Sequence, residues 1–300
     1  MAWRSHGHDQ ASLVDALLRN GLVTPNSAVE RALRRVDRGP FCAPGADPYA
    51  DAPQRTPHAG ATISAPHMHA QCLELLAGRV ATAAAAAPSS SSSPSAPPPP
   101  GRTRQAVRIL DVGCGTGYLL AALAHLAVAC GAAPEDVEVV GVERLAPLAD
   151  AARALLLPPP PPPRAAAAAA AAQQQQAPAP LPPLLPAGVR ATVVEADGHG
   201  GWPAGAPYDV IHVGAAVGGG VPPALLDQLA PRGVLVLPLV DEGGEEGPAG
   251  ARTQALWLVE KGADGASVAR RERVMAVVYV PLVKEEAPAR GVKARAASRN

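Results

Sequence analysis

Two short stretches carry residues whose types and spacing suit chemistry: "LDVGCGTG" at residues 110–117 and "ATISAPHMHA" at residues 61–70. The first has the pattern of a buried strand that runs into glycines and then a helix. Glycines let the backbone turn tightly and approach a ligand with no Cβ in the way, while the helix N-terminus aims at the same place. Gly113, Gly115 and Gly117 are therefore candidate cofactor-binding residues. The dinucleotide fingerprint G-x-G-x-x-G needs a glycine at 118, where Tyr118 stands, so the spacing departs from a nicotinamide site. The next strand pattern, "VEVVGVE", ends in Glu143. Doubly wound folds place an acid there to accept hydrogen bonds from ribose hydroxyls, which points to an adenosine-bearing cofactor. Asp197, followed by Gly198, ends a third strand in the place for contact with an adenine edge. An Asp-Gly turn with no ligand is the alternative there.

The second stretch is open to several chemistries. His67 and His69 form H-x-H, with His58 and His199 as possible further metal ligands, but no carboxylate or cysteine spacing completes a set, so no metal is expected. Ser64 beside histidines has the make-up of an activated nucleophile, yet it lacks the strand-elbow setting of G-x-S-x-G. The third alternative is a helix cap, with Ser64 closing the first turn of a helix that begins near Pro66. Spacing alone favours the cap.

The elements that must position these residues follow from periodicity. Leu13, Leu17 and Leu18 recur at helical spacing before Gly21, and "TPNSAVERALRRV" predicts a second helix with Thr24 as cap and Pro25 at its first position. "HMHAQCLELLAGRV" puts Met68, Cys72, Leu75 and Leu76 on one helical face. Strand patterns follow at 106–112, 137–143, 189–197, 208–216 and 233–240, separated by helical patterns, and several are continuous β-branched or leucine runs. Such runs suit strands buried on both faces, and the alternation predicts an α/β fold with a doubly wound, mostly parallel, seven-stranded sheet. "ALWLVEKG" and "VMAVVYVPLV" follow one another with no helix between, which predicts an antiparallel hairpin at one edge. One domain over residues 1–283 is expected, interrupted by low-complexity insertions at 81–105 and 158–187, with a disordered tail at 284–300. Both insertions lie between a helix and the next strand, at the sheet edge opposite the one where open α/β sheets bind ligands.

Lys plus Arg and Asp plus Glu both number 26, so the formal net charge is zero and gives no broad electrostatic attraction to nucleic acid or an acidic membrane. The four cysteines are widely spaced without a C-x-x-C pair, as expected of a reduced, intracellular protein. The N-terminal residues lack a signal-peptide core, and no long run of bulky apolar residues occurs, so a cytoplasmic location is expected. No apolar surface stripe beyond the core is evident, which favours a monomer.

The order G-x-G-x-G after Asp111 resembles the first motif of S-adenosylmethionine-dependent methyltransferases. A closer resemblance joins "ATISAPHMHA" with "NGLV", "DRGPF", "LDVGCGTG", "APYDVIHVGAA", "LLDQLAPRGVLVLP" and "VVYVPL". Together these resemble the protein-L-isoaspartate (D-aspartate) O-methyltransferases, in one order from residue 1 to about residue 283. The resemblance implies S-adenosyl-L-methionine as cofactor, isoaspartyl-containing proteins and peptides as substrates, and methylation of the free α-carboxylate as the reaction. It places the active-site serine at Ser64. It places cofactor contacts at Ala61, Thr62, Ile63, Ser64, His69, Asp111, Val112, Glu143, Asp197 and Gly198, beside the three glycines. The chain departs from the family where Glu143 replaces a frequent aspartate, Cys114 a serine or threonine, Gly60 a glutamine and Val283 a polar residue.

Overall fold

The computed structural model describes residues 5–58, 60–87, 106–157, 183–241 and 253–283. The expected tail at 284–300 and most of both insertions lie outside them.

Two short helices open the described chain. α1 (Gln10–Arg19) starts at a capping box in which Asp9 and Ser12 bond each other's backbone amides, and it buries Leu13, Val14 and Leu17. α2 (Ala28–Arg35) does not begin at Thr24 and Pro25 as its sequence suggested. Asn26 adopts a left-handed φ of 59°, which asparagine tolerates, and Ser27 becomes the cap by accepting from the Glu30 amide at 3.1 Å. The Thr24 amide and hydroxyl turn instead to Glu74 on a later helix, at 2.8 and 3.2 Å.

A miniature sheet follows, with β1 (Gln54–Arg55) antiparallel to β2 (Thr62–Ile63), and then α3 (Pro66–Ala86). α3 overruns the insertion expected from residue 81. Alanine is the best helix former, and Val80, Ala83 and Ala84 still face the core, so the helix has no reason to stop there. The second insertion also ends early. Leu184 is buried and its carbonyl lies 3.2 Å from His125 Nε2.

The main sheet is built from β3 (Val107–Val112), β4 (Val137–Glu143), β5 (Arg190–Glu195), β6 (Tyr208–Val213), β7 (Leu229–Val240), β8 (Gln254–Lys261) and β9 (Val268–Val277), in the order β5-β4-β3-β6-β7-β8-β9. The first five are parallel, and β8 runs antiparallel to both of its neighbours. α4 (Tyr118–Ala129), α5 (Ala146–Leu156) and the short α6 (Pro223–Asp227) connect them. Alternate strand residues enter two separate apolar clusters. Val107, Ile109, Val139 and Val210 pack with the α1–α4 side, while Leu110, Val112, Val142 and Val213 pack on the other. This explains why the strands are apolar along their whole length. The chain leaves β3 in one direction and returns to β6 on its other side, so the sheet's switch point lies between the ends of β3 and β6, where open α/β sheets hold ligands.

The last strand begins and ends earlier than the run "VMAVVYVPLV" implied. β8 offers a long edge, and the Asp264 carboxylate organises the turn before β9 by accepting from the Ala266 and Ser267 amides. Past Val277 the chain leaves the ladder. The Gln254 side chain clasps the Tyr279 backbone, accepting from its amide at 2.7 Å and donating to its carbonyl at 3.1 Å. Residues 280–282 then bond the backbone of Ala216 and cross toward the switch point. Among the described residues no helix is long and apolar enough to cross a membrane.

Candidate active site

The parallel register pairs Asp111 of β3 with His212 of β6, and both face the α3 side of the sheet. Their side chains meet at 2.7 Å and are buried. Burial pulls the His212 pKa down, but the hydrogen bond with Asp111, helped by Cys72, outweighs it and lifts the ring to about 10. The pair is thus an imidazolium beside a carboxylate at neutral pH. Asp111 Oδ2 is buried and has no hydrogen-bond partner among the described residues. A buried acceptor left open in this way has spare capacity for a donor brought by a ligand.

Just beyond this pair, the backbone closes tightly. The Gly113 amide bonds the Val142 carbonyl at 2.7 Å and the Gly214 amide bonds the Val112 carbonyl at 2.8 Å. A Cβ on Gly214 would lie 2.9 Å from the Gly113 carbonyl oxygen, so only glycine fits between the two strand ends. Glu143 closes β4, with one carboxylate oxygen accepting from the Gly115 amide at 3.0 Å and the other from the Leu145 amide at 2.9 Å. Each oxygen keeps a second lone pair for a hydroxyl donor.

Around these groups are three connected spaces. A cavity of about 290 Å³ is lined by Ala61, Thr62, Gly113, Gly115, Glu143 and Gly198, with Val283 at its rim. A small inner pocket touches Ile63, Ser64, His69, Asp111 and His212. A wider groove of about 560 Å³ is lined by Thr62, Ser64, His67, Gly214 and the run from Met275 to Val280. Thr62 and Gly214 border all three, and Ser64 borders the inner pocket and the groove.

Most of the residues singled out from sequence therefore converge, with three departures. Gly117 lines none of these spaces. Its φ of 93° starts α4, and a Cβ would strike Leu156 at 2.6 Å, so it serves helix packing. The Val112 side chain belongs to the core, because the strand's alternation turns it away from the α3 side. Asp197 also lies outside the lining. Its Oδ1 accepts from the His199 amide at 2.9 Å, as the cap of a short 3-10 turn, while neighbouring Gly198 reaches the cavity.

The cap assigned to Ser64 is likewise displaced. The N-cap of α3 is Ala65, and the carboxylate that reaches the helix start is Asp51, which accepts from the His67 amide at 3.0 Å and pairs with the His67 ring at 2.7 Å. The two histidines of H-x-H diverge, since His69 meets Arg38 instead, at 3.0 Å. Burial pushes the Asp51 pKa up, but the hydrogen bonds from His67 outweigh it and hold it below the ordinary 3.8. A depressed carboxylate stabilises the fold above its unfolded pKa and loses that contribution as pH falls through the folded value. Asp51→Ala should therefore cost about 1–3 kcal/mol at pH 7. In thermal unfolding, its gap from wild type should narrow below about pH 4.

Tyr279, which the sequence showed only as one aromatic in a valine-rich run, also enters the site. It lines the groove together with Ser64, and burial pushes its pKa well up, so the phenol stays protonated.

A seven-stranded sheet with a glycine turn at its switch point, an open buried carboxylate and an acid at the end of the next strand defines an S-adenosylmethionine-dependent methyltransferase fold. Within that class the chain belongs to the protein-L-isoaspartate(D-aspartate) O-methyltransferase family, whose model matches residues 8–86 and 102–287. Protein-L-isoaspartate O-methyltransferase 1 of Arabidopsis thaliana is 35% identical over 280 residues, covering 93% of this chain and 94% of the plant protein. The Caenorhabditis elegans protein-L-isoaspartate O-methyltransferase is 32% identical over 286 residues, covering 95% and 97%. A Plasmodium falciparum structure, described as a protein-L-isoaspartate O-methyltransferase in complex with S-adenosyl-L-homocysteine, shares the fold. Its TM-score is 0.62 at 23% identity, over 93% of this chain and 100% of that one.

Proposed function

We propose that this chain methylates the free α-carboxylate of isoaspartyl residues in damaged proteins, with Ser64 positioning that carboxylate at the wall between cofactor and substrate. The observation that carries the assignment of roles is that Ser64 borders both the buried inner pocket and the open groove. S-adenosylmethionine, when bound, supplies an electrophilic methyl group on a sulfonium. The residues suited to hold it are Ala61, Thr62, Ile63, His69, Asp111, Gly113, Gly115, Glu143 and Gly198. Asp111 Oδ2, open and buried, suits a donor of the cofactor, and Glu143 suits the ribose hydroxyls.

The substrate carboxylate is ionised near neutral pH and needs no general base. The protein's work is alignment and exclusion of water, and alignment of this kind can be worth roughly 7–11 kcal/mol. A neutral hydroxyl suits the task, because a cation at Ser64 would stabilise the ground-state carboxylate and raise the barrier. Tyr279, also neutral, is placed to share it. An open groove suits exposed, flexible segments of many proteins. The zero formal charge supports protein substrates over nucleic acid or a membrane surface.

The test is a pair of peptides identical except for isoaspartate or aspartate at one position. Labelled methyl should enter the isoaspartyl peptide and not its twin. Equal labelling of both, or of neither, overturns the substrate assignment.

A further inference from the structure

Arg38, from the "DRGPF" stretch, has no exposed surface at all. A guanidinium is seldom buried without a carboxylate partner, because desolvation costs several kcal/mol. The side-chain hydrogen bonds of Arg38 go elsewhere. Nη1 lies 3.0 Å from His69 Nδ1, and Nη2 donates to the Ser64 carbonyl at 2.5 Å. The guanidinium carbon lies 5.3 Å from the centre of the Tyr118 ring, whose face suits a cation. Gln10 holds the Arg38 backbone amide at 3.2 Å, and the Arg38 carbonyl accepts from the Phe41 amide at 3.1 Å, so the residue is fixed from both ends.

Guanidinium carries only donors and stays protonated in proteins. His69 Nδ1 must therefore be the acceptor of the Arg38 contact, and the ring proton must sit on Nε2. The same guanidinium, through its other nitrogen, anchors the backbone of Ser64. We propose that Arg38 is a positioning residue that fixes His69 as an Nε2–H donor for the inner pocket and holds Ser64 in register with it. A single planar fork thereby ties a cofactor-side group to a substrate-side group. The inference rests on the roles given above to His69 and Ser64. Its physical content, the tautomer, is independent of activity.

The groups facing His69 are Arg38 from the loop after α2, Tyr118 of α4, His212 of β6 and His67 of its own helix. Burial first, then Arg38, His212 and His67, hold the His69 pKa well below 6.5. Nitrogen NMR on the full, ligand-free chain labelled in histidine reads the tautomer directly, with His69→Gln giving the assignment. Wild type should show Nε2 protonated and no titration of His69 between about pH 6 and 8. In Arg38→Met the ring should become a tautomer mixture, and its pKa should rise from the wild-type value while burial still holds it below 6.5. The KM for S-adenosylmethionine should rise roughly tenfold and gain a dependence on pH below 7 that wild type lacks. An Nδ1–H tautomer in wild type overturns the proposal even if the variant does not fold. So does a variant whose thermal stability falls while tautomer and pH profile stay unchanged, since that marks a purely structural residue. Failure of the paired-peptide assay would remove the function and leave the tautomer result standing.

Discussion

Ser64→Ala should methylate an isoaspartyl peptide about 10²-fold more slowly than wild type, with affinity for S-adenosylhomocysteine essentially unchanged. The size follows from the chemistry. Neither proton transfer nor a covalent enzyme intermediate is needed, so what the hydroxyl contributes is geometry, and misplacement by about an ångström can cost this much. A hundredfold loss is about 2.7 kcal/mol of barrier, comparable with one well-aimed hydrogen bond in a site that excludes water. The fold has little stake in the side chain. It is the Ser64 carbonyl that receives Arg38, and Asp51 reaches the α3 amide that a serine cap would otherwise serve. An alanine therefore keeps the loop in place and removes only the hydroxyl. Single-turnover methylation, with cofactor affinity measured separately by calorimetry, distinguishes the two effects. Unchanged turnover removes Ser64 from the reaction, and a matching fall in cofactor affinity moves its role to the cofactor side.

What the sequence disclosed, and what it hid, divides by range. The strands were legible because burial on both faces leaves long apolar runs, and the switch point followed from their alternation with helices. Gly113, Gly115 and Glu143 were legible because strand-end chemistry is local. The Asp111–His212 pair was half visible. "LDVG" and "IHVG" are the same pattern at the ends of two strands, and placing those strands side by side puts the aspartate beside the histidine. The α3 cap was hidden, since the carboxylate that fills it stands at residue 51, far from the helix it serves, while Ser64 looked correct at short range. Gly117 misled for a related reason. Its left-handed φ satisfies the turn, but what forbids a side chain there is Leu156 on another helix. Arg38 gave no local sign of burial, because only tertiary contacts with His69, Ser64 and Tyr118 explain it.

His212→Leu should cost about 3–5 kcal/mol of folding stability near pH 6, because it leaves the buried Asp111 carboxylate without its cation. The cost should depend on pH with a definite sign. In the folded protein the ring keeps its proton up to about 10, whereas in the unfolded chain it loses it near 6.5. Between those values the native state binds more protons than the unfolded state, so the pair's contribution is complete below 6.5 and is lost as pH rises toward 10. Urea unfolding at pH 6, 8 and 10 should therefore show the gap between wild type and variant narrowing steadily. The double variant Asp111→Asn, His212→Leu separates this from a packing defect. With the carboxylate gone as well, no buried charge is left uncompensated, and the double variant should be more stable than His212→Leu alone. If it is less stable, the single variant's loss comes from the cavity left by the ring, and the charged pair is not what holds the ends of β3 and β6 together. If instead the pair is confirmed, the same carboxylate has two duties. One oxygen holds the imidazolium at 2.7 Å and fixes the switch point, and the other remains open to the ligand. Cofactor binding would then draw on a group already oriented by the fold, which is how an alignment-driven reaction gains from a rigid strand end.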